Sequence, residues 1–70
     1  MKVYRLTQFG FRIARSVRSP DTASWKVIHL LDRLGGQATD DQIADGTGLS
    51  VGEVGRIAGR LRMKHIVEVI

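Results

Sequence analysis

Arg56, Arg60, Arg62 and Lys64 crowd the last third of the chain, and their spacing is the strongest chemical signal in it. Residues four apart on a helix share a face, so Arg56 and Arg60 would stand side by side. The planar guanidinium fork suits paired acceptors such as O6 and N7 of guanine, and any cation here suits phosphate oxygens. A second basic series, Arg12, Arg15 and Arg18, recurs every three residues near the start. The net charge of +4 is unevenly spread. Residues 1–18 hold Lys2, Arg5 and that series with no acid, whereas residues 19–55 hold Asp21, Asp32, Asp40, Asp41, Asp45 and Glu53 against Lys26 and Arg33. Basic charge therefore sits at both ends of the chain. If the ends meet in space, they form one basic surface suited to a polyanion.

Other chemistries find little support. His29 and His65 stand alone, with no carboxylate or second histidine at a ligand spacing, and the absence of cysteine removes thiolate zinc sites and disulfides. Asp40 and Asp41 are adjacent carboxylates, but acids in the first turn of a helix are explained by its dipole. Seventy residues leave little room for an enzyme cleft. The expectation is a non-enzyme with no metal, no cofactor and no small-molecule substrate. No apolar run approaches the roughly 20 residues of a membrane span, and Met1 is not followed by a signal-peptide pattern. This predicts a soluble cytoplasmic protein.

The elements that must position these residues read as one domain, mostly α with a small β-sheet. Residues 1–18 give a strand over Lys2 to Leu6, a cap at Thr7, and a basic helix with the apolar stripe Leu6, Phe9, Ile13 and Val17. Ser19-Pro20-Asp21-Thr22 is a break. Residues 20–35 hold a second helix, from about Asp21 to Leu34, with Ser24, Val27, Ile28, Leu31 and Leu34 as its core stripe and Gly35-Gly36 at its end. Trp25 is expected to cover the first helix, and Phe9 and Phe11 to join the core. Residues 39–62 contain two capping boxes, Thr39 with Gln42 and Ser50 with Glu53, separated by the turn former Gly46-Thr47-Gly48. His65 to Ile70 reads as a closing strand.

In Gln42-Ile43-Ala44-Asp45-Gly46-Thr47-Gly48-Leu49-Ser50-Val51-Gly52-Glu53-Val54, each position has a physical reason. Ala44 is small where two helices cross, Gly48 permits a tight turn, Leu49 plugs the gap, and Ser50 caps the second helix. Val54, Ala58 and Leu61 form that helix's buried stripe, which turns Gly52, Arg56, Gly59, Arg60 and Met63 outward. Gly52, Gly55 and Gly59 cost about 1 kcal/mol each relative to alanine. Two compensations are open: close approach to a DNA backbone, or to another helix in a dimer seam.

Residues Thr39 to Leu61 resemble the helix-turn-helix of winged-helix transcription regulators, including the multiple-antibiotic-resistance type, and Ile66-Val67-Glu68-Val69 extends the likeness through the first wing strand. Gly46 departs from that pattern and points to an early end of the first helix. The resemblance implies that the outward face, with Ser50, Gly52, Arg56, Gly59 and Arg60, enters the major groove of double-stranded DNA. Arg62, Lys64 and the Arg12, Arg15, Arg18 series would then hold phosphates. Tyr4-Arg5-Leu6-Thr7-Gln8-Phe9-Gly10 resembles the segment that follows the wing in such regulators, yet here it comes first. A circularly rearranged winged helix, with Val3 to Leu6 pairing against Ile66 to Val69, is the simplest arrangement that accommodates it. The expected function is sequence-specific DNA binding as a homodimer. The alternatives are a winged-helix protein adaptor and a non-specific nucleic-acid binder.

Overall fold

A computed structural model describes residues 2–16 and 22–70. Among these residues the order is β1 (Val3–Leu6), α1 (Gln8–Ser16), α2 (Ala23–Arg33), β2 (Gln37–Thr39), α3 (Asp40–Thr47), α4 (Val51–Met63) and β3 (Val67–Val69). The arrangement is the α+β class that the periodicities predict, with a short antiparallel sheet joining the two ends of the chain. Val17, Arg18 and the Ser19-Pro20-Asp21 part of the break lie outside the described residues.

The terminal strands pair antiparallel, with Tyr4 opposite Val69, Arg5 opposite Glu68 and Leu6 opposite Val67. The sheet also holds a strand that the sequence reading lacks. Gln37-Ala38-Thr39 runs antiparallel to β1 on its other side, so β1 is the central strand of the order β2-β1-β3. Arg5 and Glu68 face each other across β1 and β3 and form a hydrogen-bonded ion pair, with Arg5 Nε donating to Glu68 Oε1 at 2.7 Å. Such a half-exposed pair contributes at most about 1 kcal/mol, but it removes Arg5 from the free cations.

The core gathers Val27, Ile28 and Leu31 of α2, Ile43 of α3, Val54, Ile57, Ala58 and Leu61 of α4, and Tyr4 and Leu6 of β1. Leu34 does not belong to it: as the C-terminal cap of α2 it is 47% exposed. Trp25 is half-buried against the core and lines an open groove together with Phe9 and Ile13 of α1.

α1 is turned differently from the predicted stripe. Gly10 and Ala14 face inward, Phe11 and Ile13 flank them, and Phe9 is left 50% exposed. The cause is a close approach. Thr7 N donates to the Ile66 carbonyl at 3.0 Å and Thr7 Oγ1 donates to the His65 carbonyl at 2.6 Å, which pins the start of α1 to the segment between α4 and β3. Thr7 Oγ1 also accepts from Gly10 N at 2.9 Å, the predicted cap. A Cβ at position 10 would overlap the Ile66 carbonyl oxygen, so only glycine fits there. Fixing Gly10 inward rotates Phe9 away from the core.

α4 leaves through His65, whose φ of 61° lies in the left-handed region usually given to glycine. Its amide donates to the Arg62 carbonyl at 3.0 Å and that of Ile66 donates to the Leu61 carbonyl at 2.9 Å, closing the helix end. The last strand therefore starts at Val67 rather than His65.

Candidate nucleic-acid interface

Local chemistry sets the α3–α4 unit. Thr39 Oγ1 accepts from Gln42 N at 3.1 Å while Gln42 Oε1 accepts from Thr39 N at 2.9 Å. Ser50 Oγ likewise accepts from Glu53 N at 3.1 Å and Glu53 Oε1 accepts from Ser50 N at 3.3 Å. Both predicted capping boxes are thus closed, and each satisfies two amides that would otherwise lack partners. Gly48, at a φ of 76°, makes the turn, and its amide donates to the Ala44 carbonyl at 2.9 Å. Half-buried Leu49 packs onto the core beside it. α3 does not end early at Gly46. It continues to Thr47, and the Leu30 side chain lies where a Cβ of residue 46 would go, so this glycine is a contact point inside the helix.

α4 buries Val54, Ala58 and Leu61 as its spacing predicts, and Ile57 as well. At 100° per residue this leaves Gly52, Met63 and Arg56 at the centre of the exposed face, with Gly55 and Gly59 beside them. Arg56, Arg60, Arg62 and Lys64 are all exposed, and none is in an ion pair among the described residues. The two flanks differ. Arg60 and Lys64 border a groove against Phe9 and Ile13 of α1. Arg62 lies on the opposite flank, close enough to Tyr4 for its charge to act on the phenol. Burial nevertheless holds the Tyr4 pKa above its ordinary 10.0, with help from the Asp40 carboxylate and against Arg62.

A Cβ at Gly55 or Gly59 would meet nothing within 4 Å, and one at Gly52 would only graze Ser50 Oγ at 3.9 Å. No packing among the described residues asks for these glycines. Ser50 is exposed, but its hydroxyl is engaged with Glu53, which makes it the residue that fixes the helix start.

The α1 arginines are both exposed, away from the buried Gly10–Ala14 line of their helix. Arg15 lies over the Phe11 ring, 5.8 Å from its centroid, and that ring covers Gly36 on the side of α1 away from Ile13. Arg12 falls opposite the buried Gly10–Ala14 line and points to solvent. The orientation of α1, set by Gly10, is the reason. Arg18 lies outside the described residues. Lys2, counted in the basic N-terminal segment but not among the predicted site residues, is an exposed cation at the tip of the sheet, where its carbonyl accepts from Asp40 N at 3.0 Å. Its signal was its place just before a strand that meets the chain's other end.

Among the described residues no helix is long and apolar enough to cross a membrane, and no group of three or more His, Cys, Asp or Glu could hold a metal ion. Comparison with protein-family models, with characterised proteins and with solved structures finds no match for this chain.

Proposed function

We propose that this domain is a circularly rearranged winged helix that binds double-stranded DNA, with α4 in the major groove, and acts as a cytoplasmic transcription regulator. The observation that carries the reading is the outer face of α4. It offers four cations without an ion-pair partner among the described residues, around three glycines with little or nothing against them, on a helix held at its start by the Ser50–Glu53 box and the Gly48 turn. Each glycine costs about 1 kcal/mol of helix stability with no compensating contact among the described residues. A helix with a bare outer face lies closer to a nucleic-acid backbone than one carrying side chains there. Arg56 then reaches base edges from the centre of the face, while Arg62 and Lys64, at its margins, hold phosphates.

The sheet supports the same reading. β1 pairs with β3 and passes directly into α1, as a last wing strand passing into the following helix would. A single recognition helix reads few bases, so specificity calls for a homodimer on paired half-sites about one helical turn apart. Phe9 and the outer edge of β3, where Val69 and Ile70 are exposed, are surfaces on which two copies can meet.

Selection from random duplexes, followed by affinity measurement across salt concentrations, tests this. An enriched motif is expected, with a log–log salt slope of about −0.9 per phosphate neutralised. Arg56→Ala should cost about 1–3 kcal/mol on that motif and relax preference within it, while Arg62→Ala weakens all duplexes alike and lowers the slope by about one unit. No enrichment, with Arg56→Ala binding as well as the parent, would rule out groove reading.

A further inference from the structure

The outermost strip of α4 is formed by residues 52, 56, 59 and 63, whose three- and four-residue spacing stacks them on one side of the helix. The strip reads glycine, arginine, glycine, methionine. Side chains therefore leave it at two points, Arg56 and Met63, about 10 Å apart along the helix axis. Arg56 already has a use in the DNA-binding reading, whereas Met63 has none. Yet Met63 is 82% exposed, more than any other large apolar side chain among the described residues. A Cβ at Gly59, one turn earlier, would meet nothing within 4 Å, so no described side chain covers Met63 from that side.

A methionine side chain has no donor and only a weak acceptor, and it is long and unbranched enough to adapt its shape to a surface. In the major groove guanine, cytosine and adenine show polar atoms, and thymine alone adds an apolar group, its C5 methyl. Laid over a polar edge, Met63 would strip water from donors and acceptors that it cannot satisfy. Laid against the methyl, it removes apolar surface of both partners from water. We propose that Met63 is a second base-reading residue of α4 and selects thymine through that methyl group. Helices in the major groove read three successive bases over six or seven residues, which puts this thymine about two to three base pairs from the base taken by Arg56. The inference rests on the DNA-binding reading and adds to it the kind of base recognised at the end of the helix. A second copy is a poorer cover for Met63. Contact through the same face would set Arg56, Arg60, Arg62 and Lys64 against their own kind, and none of them has an ion-pair partner among the described residues.

Thymine and uracil differ only in the C5 methyl, so copies of a selected duplex with deoxyuridine in place of single thymines isolate the contact. At one position uracil should lower the affinity of the parent about fourfold, which is the ~0.8 kcal/mol of one buried methyl at 1.4 kcal/mol per tenfold. Met63→Ala should bind the thymine and uracil duplexes equally, and Met63→Leu, still apolar, should keep the preference. Arg56→Ala should lose its own base preference and keep the uracil effect. Both Met63 variants should match the parent in far-UV circular dichroism, since the side chain is largely outside the packed interior.

An enriched motif without thymine, one in which no single uracil weakens binding, or a uracil effect that survives Met63→Ala in full would overturn the role of Met63 and leave DNA binding standing. Failure to enrich any motif would remove groove reading and the role of Met63 together. A dimer that forms without DNA and is lost in Met63→Ala, read by sedimentation, would also overturn the proposal, because a second copy would then cover the side chain.

Discussion

Replacing Gly55 and Gly59 together by alanine separates the stability of α4 from its function. Neither glycine is among the residues of positive φ, and a Cβ at either meets nothing within 4 Å, so no strain or clash opposes the change. Alanine gains about 1 kcal/mol over glycine at each helix-interior position, or about 2 kcal/mol for the pair. In a domain of this size each kcal/mol raises Tm by roughly 4–8 °C, so the double variant should melt about 8–16 °C higher. On the DNA side, two methyl groups enter the face assigned to close contact with the duplex. Overpacking of a tight contact costs about 1–3 kcal/mol, which is roughly a 5- to 150-fold loss of affinity. Thermal denaturation and fluorescence anisotropy on a selected duplex, with parent and variant at equal concentration, read both numbers. Higher Tm with unchanged DNA affinity would refute the argument that the bare face lies against DNA. Lower Tm, with the loss of a dimer seen in sedimentation, would assign the glycines to a helix–helix seam between copies.

Three further outcomes follow from local geometry. Gly10→Ala drives a Cβ into the Ile66 carbonyl oxygen and should lose about 1–3 kcal/mol in urea denaturation; an unchanged midpoint would show that α1 is not pinned there. His65→Gly relieves the left-handed backbone at the end of α4 and should gain about 1 kcal/mol by the same assay, whereas a loss would mean that the imidazole makes a compensating contact. Burial raises the Tyr4 pKa above 10.0, so its contribution is fully present below pH 10 and is lost as pH rises through the folded value. Tyr4→Phe should therefore resist alkaline unfolding better than the parent, and identical pH profiles would contradict that linkage.

The parts of this fold that short stretches determine were legible in the sequence. Thr39 with Gln42, Ser50 with Glu53, and Gly48 each act within four residues, and each is found making the bonds its spacing implies. β2 was not legible because Gln37-Ala38-Thr39 is only three residues long, too short for its alternation to stand out, and it becomes a strand where β1 offers free backbone groups beside it. The rotation of α1 was misread for a similar reason. Phe9, Ile13 and Val17 have ideal helical spacing, yet the Ile66 carbonyl, more than fifty residues away, decides which side faces in. That rotation also leaves Phe9 exposed to wall the groove. The outward face of α4 followed from periodicity alone, since a helix with a clear buried stripe fixes its opposite side.

The clasp between β1 and β3 also determines how the molecule would respond to tension. Ile70 N donates to the Val3 carbonyl at 2.9 Å, so the outer ends of the two strands lie side by side. A load applied through residues 3 and 70 falls on one ladder bond at a time and peels the strands apart, instead of shearing the whole ladder together. The sheet would open at low force, and the helices packed around Leu31 and Val54 would bear the load only afterwards. A short covalent bridge between residues 2 and 70 would close the chain into a ring. Such a ring has no free strand end at which peeling can begin, and its unfolded state has fewer conformations to gain.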